Sequence, residues 1–579
     1  MINNDSRFIN NGTEIPTAGG YADQPSIVVL SDGTFVCATT TGTGEEGAAG
    51  QYVSIMRSLD GGQSWSEGTP LEDLQWESAY AVLVTDRFDR IYCLYNYNLD
   101  HYKKSEFEAH RFDMGGTYCL KYSDDKGLSW SERIIVDVGV TDIDTRYPFF
   151  PKAGGGKQYR FMWNVARPFI DGDDLYIMVG KPFLGVRGQY PFETSRGVLL
   201  VARGIVQNPH TPFITLPEGA KELLPRPGDK ITEEHCCVKL SDGTLFCTSR
   251  TEKGYPLVFV SHDDGKSFTD GFIPKHVGGL PVKQPRAANF LWKLKSGKFL
   301  YWFHNVGNMG YDFRNPAWCA PAFETDTENG KELVYGQPEI LFYHTTGDRL
   351  SISYPDLIEY DGKLMITETQ KQIARIHTVS ERLQNALLNQ DTVSARLDGI
   401  SMDELKTNGV PKQIYSKVNH SDRTEWKEIP ENSGTTWIFE GIFNKGDSVI
   451  SAHNKQRGGF KVDVTEMGTL RCYAAGEAAN FTLESSINLC DGKKHHVAWI
   501  MDNAACISYL VIDGIFDNGG DVFECGWRFI PYQLSFINAV KDVSFGANVN
   551  DVRLIPNSIL TADAIGDWRA SCNQTHKKH

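Results

Sequence analysis

The chain has 579 residues, 41% of them apolar, and a net charge of −15 at neutral pH. That length exceeds one ordinary domain and predicts two or three units. Its one basic cluster is a short tail at Lys577 and Lys578, so the footprint of a nucleic-acid surface is lacking, and no run approaches the roughly 20 apolar residues that would span a bilayer. Met1-Ile-Asn-Asn-Asp5 lacks the charged and apolar regions of a signal peptide, which predicts a cytoplasmic protein unless an export signal has been removed.

From the N-terminus, short runs such as Pro25-Ser-Ile-Val-Val-Leu30, Arg90-Ile-Tyr-Cys-Leu-Tyr95 and Lys298-Phe-Leu-Tyr-Trp-Phe303 alternate apolar and polar residues between Gly- and Asp-containing turns. This predicts antiparallel strands in an all-β architecture. Helical periodicity is nearly absent before residue 378. The twelve cysteines are scattered without a metal-ligand spacing such as C-x-x-C, and Cys236, Cys237 and Cys247 read as reduced thiols on strands.

One turn recurs. Ser58-Leu-Asp60-Gly-Gly62-Gln-Ser64-Trp65 returns as Ser123-Asp-Asp125-Lys-Gly127-Leu-Ser129-Trp130 and as Ser261-His-Asp263-Asp-Gly265-Lys-Ser267-Phe268. The first two copies lie 65 residues apart and the second and third 138 apart, close to two periods, so a degenerate copy is expected near residue 190. In such a turn the Asp carboxylate and Ser hydroxyl accept backbone N–H bonds, Gly supplies a positive φ, and the aromatic closes the core beneath. A period of about four strands that cannot bury both faces alone predicts radial stacking, a β-propeller of six blades over residues 1–378.

Residues 379–414 carry apolar positions at helical spacing in Ser380-Glu-Arg-Leu-Gln-Asn-Ala-Leu-Leu388 and a capped start at Ser401, which predicts a short helical linker. Strands return over 415–579, in Thr436-Trp-Ile-Phe-Glu-Gly-Ile-Phe443, His495-His-Val-Ala-Trp-Ile500 and Tyr509-Leu-Val-Ile-Asp-Gly514. The order of the last two, followed by a closing Arg553-Leu-Ile-Pro-Asn-Ser-Ile-Leu-Thr-Ala-Asp-Ala-Ile-Gly-Asp-Trp568, resembles the laminin-G or concanavalin-like jelly-roll sandwich, a module that binds sugars in some proteins and only packs against a catalytic partner in others. His495 and His496 read as strand residues, not as ligands.

The pattern S-x-D-x-G-x-[ST]-W resembles the Asp-box, or BNR repeat, of the sialidase (neuraminidase) superfamily. By that resemblance Glu234 opens one inner strand and Arg250 closes its neighbour. Glu234 would then be the base that deprotonates a tyrosine nucleophile, and Arg250 a member of a carboxylate-binding arginine triad. Strand alternation lets only one of Glu233 and Glu234 face inward. Ser351-Ile-Ser-Tyr354-Pro-Asp356-Leu357 is similar to the family's nucleophile segment, so Tyr354 is the expected nucleophile. A phenol needs such an adjacent base, and its neutral form does not repel an anionic sugar. Arg314 falls where another triad arginine is expected, and guanidinium pairs recognise carboxylates bidentately. The acid position falls in Thr41-Gly-Thr-Gly-Glu45-Glu46-Gly47, where Glu46 stands for the family's aspartate and Glu45 is its rival.

The family's opening Arg-Ile-Pro is replaced here by Asp23-Gln24-Pro25. A carboxylate in place of the first triad arginine would repel a bound carboxylate, which implies a re-specified pocket in which Asp23 and Gln24 contact sugar hydroxyls. The sequence therefore predicts an exo-acting, sialidase-like glycoside hydrolase on an acidic glycan, needing no cofactor and no metal. A second possibility, implied by resemblance to L-rhamnose/glucuronate lyases on related propellers, is a lyase in which a histidine or a tyrosine takes the proton beside a uronate carboxylate; His304, His101 and His235 are the histidines to test for that role. A third is a non-catalytic glycan-binding protein. Glu368 is a further candidate for the inward face, and nothing in the sequence sets the oligomeric state.

Overall fold

The computed structural model describes residues 2–99, 101, 117–136, 162–181, 196–218, 222–223, 226, 229, 231–345, 350–414, 428–429, 431–534 and 536–576. The degenerate turn expected near residue 190 lies outside them.

Among the described residues, six antiparallel sheets follow one another along the first part of the chain. Their first strands are Gly20–Val29, Ser78–Thr85, Phe169–Asp171, Glu233–Lys239, Phe290–Lys293 and Ser353–Tyr360. The sixth sheet is completed by Thr13–Ile15, which pairs with Ala374–Thr378 and so joins the start of the chain to the last sheet. Residues from all six sheets, among them Val28, Val84, Phe169, Cys236, Leu291 and Leu357, line one central cavity of about 500 Å³. The sheets thus stand around one centre with their first strands innermost, a multi-bladed β architecture. Strand sequences are apolar on both faces because each sheet packs against two neighbours.

The three recurring turns are congruent. In each, the Ser hydroxyl donates to the Asp carboxylate at 2.8 Å and accepts the Gly N–H at 2.8–2.9 Å. The same carboxylate accepts the N–H of Ser64, Ser129 or Ser267 at 2.8–2.9 Å. Gly62, Gly127 and Gly265 have φ of 85°, 76° and 89°, which a Cβ would strain. Register places these turns at one end of the sheets. In the fourth sheet Glu233 pairs with Arg250 at one end, and Lys239, Leu245 and Ser261 align at the other.

Beyond the sixth sheet, Ser380 caps the helix Glu381–Leu388, and Ser401 with Glu404 forms a capping box on Met402–Asn408. Among the described residues two large sheets follow, beside a short pairing of Gln413–Ile414 with Phe536–Ile537. One centres on Gly434–Gly441, His495–Asp502 and Ile507–Ile512, the other on Ser448–Asn454, Gly458–Val464 and Leu470–Ala475. They share a core built on Trp437, Phe439, Phe460 and Trp499. His495 lies between Asp491 and Asp513, and His496 bonds Asp567 at 2.8 Å.

This second unit is fused to the fifth sheet. Trp318 packs against Tyr509, Phe516 and Trp527, and the Trp527 indole donates to the Asn305 carbonyl at 2.9 Å. Arg7 pairs with Asp502 at 2.6 Å. Glu339 accepts the Thr561 and Ala562 N–H groups at the start of the helix Thr561–His576, where a carboxylate complements the helix dipole.

Candidate active site

Four of the innermost strands break their ladder at the same level. Two residues oppose one between Asp23 and Ser26, Ala79 and Val82, Glu233 and Cys236, and Ser353 and Asp356. The first extra residue is left-handed in every case: Gln24 at φ 53°, Tyr80 at 56°, Glu234 at 49° and Tyr354 at 49°. Such conformations cost about 1–3 kcal/mol each for non-glycine residues, and bulges re-aim side chains. Tyr80, Glu234 and Tyr354 all line a cavity of about 120 Å³ at the end of the sheets remote from the recurring turns, together with Glu46, Trp163, Glu233, Arg250, Arg286, Tyr311, Arg314 and Lys371. The bulge also corrects the alternation argument. Glu233 and Glu234 both line the cavity, because the extra residue breaks the period of two between them.

The centre is a phenol on a carboxylate. The Tyr354 hydroxyl donates to Glu234 Oε1 at 2.9 Å, and Arg250 donates to Glu234 Oε2 at 2.6 Å. Glu233 Oε1 lies 3.3 Å from both Arg250 Nε and Arg286 Nε. Arg314 donates to the Ser353 hydroxyl at 3.2 Å and to the Arg286 carbonyl at 3.0 Å. The three guanidiniums gather 4.8–6.0 Å from the ring centre of Tyr311, whose side chain is exposed, a cation–π arrangement.

The electrostatics follow from burial. Burial raises the Tyr354 pKa and the Glu234 charge raises it further, against opposing contributions from Lys371 and Arg250, so the phenol stays protonated at rest. Burial raises Glu233, partly offset by Arg250. Burial lowers Arg314, and Arg250 adds to that.

Glu46 lies on the loop between Phe35–Thr43 and Tyr52–Ser58. Gln51 fixes that loop, donating to the Glu45 carbonyl at 2.9 Å and accepting the Gly47 N–H at 3.0 Å. Lys371 Nζ lies 3.2 Å from Glu46 Oε2, 2.6 Å from Asp23 Oδ2 and 4.4 Å from the Tyr354 ring centre. The repulsive reading of Asp23 is thereby corrected, since its charge is matched by Lys371 and its carboxylate also accepts from the Tyr21 hydroxyl at 2.9 Å. Burial acts against the Lys371 charge, but Asp23 and Glu46 outweigh it and raise its pKa. Asp23 and Gln24 are each 3% exposed, and the Gln24 amide donates to the Asn164 carbonyl.

The structure thus brings together Tyr354, Glu234, Glu46, Arg250 and Arg314, with Asp23 one side chain behind. His304 is buried beside Trp302, and burial lowers its pKa to about 3. His235 is likewise buried, its pKa lowered to about 3 by the same cause. His101 stacks on Trp76 with centroids 4.1 Å apart. Glu368 is enclosed with Gln370 and His377. None of these four lines the cavity. Arg286 and Lys371 escaped the sequence reading. Arg286 was the more accessible, since it stands shortly before the innermost strand of the fifth sheet. Among the described residues no group of three or more His, Cys, Asp or Glu is arranged to hold a metal ion.

No protein-family model matches the chain, and no curated protein matches it in sequence. Among solved structures it is similar to a protein of unknown function from Dyadobacter fermentans, at 14% identity over 64% of this chain and 98% of that one, with a TM-score of 0.46. The intramolecular trans-sialidase of Ruminococcus gnavus, in complex with oseltamivir carboxylate, is similar at 13% identity over 63% and 95%, TM-score 0.44. The sialidase of Trypanosoma rangeli, in complex with 2,3-difluorosialic acid, is similar at 12% identity over 97% of both chains, TM-score 0.42. All three TM-scores are below 0.5, and these likenesses carry no argument about this chain.

Proposed function

We propose that this chain is an exo-acting glycoside hydrolase that releases a terminal acidic sugar from a glycan. In this reading the six sheets form a propeller of sialidase type and the C-terminal unit is a concanavalin-like sandwich that braces its fifth blade. The observation that carries the proposal is the Tyr354–Glu234–Arg250 array, with the phenol 2.9 Å from one carboxylate oxygen and a guanidinium 2.6 Å from the other.

A nucleophile of high pKa needs a base within hydrogen-bond reach. Tyr354 Oη attacks the anomeric carbon as its proton passes to Glu234. The bond to the leaving oxygen breaks, and that oxygen takes a proton from Glu46. Water then attacks the glycosyl-tyrosine with Glu46 as base, and Glu234 returns its proton to Tyr354. Arg250, Arg286 and Arg314 hold the anionic substituent, and Tyr311 covers them. A lyase with a histidine base is disfavoured because His101, His235 and His304 do not line the cavity, whereas a lyase with a tyrosine base is distinguished from the hydrolase by its product.

The test is a screen of acidic and neutral aryl glycosides and oligosaccharides, followed by Tyr354→Phe and Glu234→Gln on the substrate found. A product with water added, and loss of turnover in both variants, is expected. An unsaturated product refutes the hydrolase reading. Glycan binding without turnover, unchanged in Glu234→Gln, refutes an enzyme.

A further inference from the structure

Cys237 and Cys247 stand directly opposite each other on neighbouring strands of the fourth sheet, Glu233–Lys239 and Leu245–Arg250. Opposed residues of an antiparallel pair have Cα atoms ~4.5–5.5 Å apart, inside the range that a disulfide spans. The two Sγ atoms are 2.9 Å apart. Unbonded carbons attract best at ~3.5–4.0 Å, and sulfur is larger, so the two thiols stand closer than packing alone favours. They lie in an apolar core with Leu199, Leu245, Leu257 and Phe259, and Met178 Sδ is 3.9 Å from Cys247 Sγ. Cys236 is on the other face of the sheet by strand alternation, where its Sγ meets the Leu291 carbonyl at 3.1 Å.

We propose that Cys237 and Cys247 are a peroxide-sensitive pair that oxidation joins in a cross-strand disulfide. A shared metal ion fits the geometry less well. Two thiolates on one tetrahedral zinc, each at ~2.3 Å, stand about 3.8 Å apart, so the pair would have to open, whereas a disulfide only closes it further. Access favours a small oxidant. Cys237 lines the central cavity and keeps 7% of its surface exposed, while Cys247 is 0% exposed and does not line it.

The chemistry follows from that asymmetry. The Cys237 sulfur attacks one oxygen of hydrogen peroxide, the O–O bond breaks, and the thiol proton leaves with the other oxygen as water, giving a sulfenic acid. The Cys247 sulfur, whose thiol burial holds protonated at rest, then attacks Cys237 Sγ. The S–O bond breaks, and the hydroxyl leaves with the Cys247 proton as a second water. Two thiols have lost two electrons, and one peroxide has become two waters. The new bond ties the strand of Glu234 to the strand of Arg250, three residues from each.

The test treats the whole chain, purified under reductant, with hydrogen peroxide at the dose that oxidises the exposed Cys572. Remaining thiols are alkylated in denaturant, and tryptic peptides are mapped without reduction. Peptides 231–239 and 240–250 are expected as one joined species, ~2 Da lighter than their sum, that dithiothreitol separates. Cys236→Ser should keep this species, and Cys237→Ser and Cys247→Ser should each lose it. Thermal melting checks the folding of the variants; if one misfolds, the fragment spectrum of the wild-type species decides between Cys236 and Cys237. Separate peptides with Cys237 and Cys247 still alkylated overturn the proposal. So do a Cys236–Cys237 bond, a sulfinic acid at Cys237 without a bridge, and a bridge that persists in Cys237→Ser or is lost in folded Cys236→Ser.

Discussion

Tyr354 and Glu234 meet at 2.9 Å across 120 positions of sequence because each is the left-handed residue of a bulge in the innermost strand of its own sheet. The strain of two such residues is set against one contact that a regular ladder would not make. The pair should therefore act as a unit. Glu234→Gln keeps the shape and removes the base, so kcat should fall by about 10²- to 10⁴-fold with the fold intact by circular dichroism. A variant at wild-type kcat would assign the base elsewhere.

Arg286 tests the anion site independently. Replacement by Met should raise KM for an acidic substrate by roughly 10- to 100-fold while changing activity on its uncharged analogue little, and Arg286→Lys should restore only part of the loss because an ammonium cannot reproduce the planar fork. Equal losses on charged and uncharged substrates would mean a purely structural role.

Lys371→Met leaves Asp23 buried without its cation, and breaking one side of a buried pair costs about 3–5 kcal/mol. The double variant Asp23→Asn/Lys371→Met should recover most of that loss in denaturant unfolding. The pH dependence has a definite sign. Asp23 has a folded pKa raised by burial, so its contribution to stability is fully present below the unfolded value near 4 and is lost as pH rises through the folded value. Removing Lys371 raises that folded value further, so Lys371→Met should be destabilised least in acid and most near neutrality. A deficit that does not change with pH would contradict the pairing.

The recurring turns are scaffold. Asp263→Ala removes the acceptor for the Ser261 and Ser267 hydroxyls and the Ser267 N–H, at the end of the sheet opposite Glu234. It should lower the melting temperature and leave kcat/KM at the wild-type value. A selective loss of kcat/KM would place these turns in the chemistry.

The turns were legible in the sequence because their chemistry is local: Ser, Asp and Gly within eight residues make all the bonds. Tyr354, Glu234 and Arg250 were legible through the motifs around them. What was hidden depends on distant contacts. The Asp23–Lys371 pair spans 348 positions, and nothing near Asp23 announces a lysine partner. The bulge at Glu234 defeats alternation, the very rule used to choose between Glu233 and Glu234. Gln24-Pro25 and Tyr354-Pro355 did carry a trace of it, since proline cannot donate to a ladder and favours bulged positions within strands.

The most direct test of the central claim is peptide mass mapping after reaction with a fluorinated, activated acidic glycosyl donor, which slows breakdown of a covalent intermediate. The account predicts one glycosyl adduct, on the tyrosine of the peptide containing Ser353-Tyr354-Pro355, absent in Tyr354→Phe. Turnover of the substrate with the adduct on another residue, or with none forming, would contradict it.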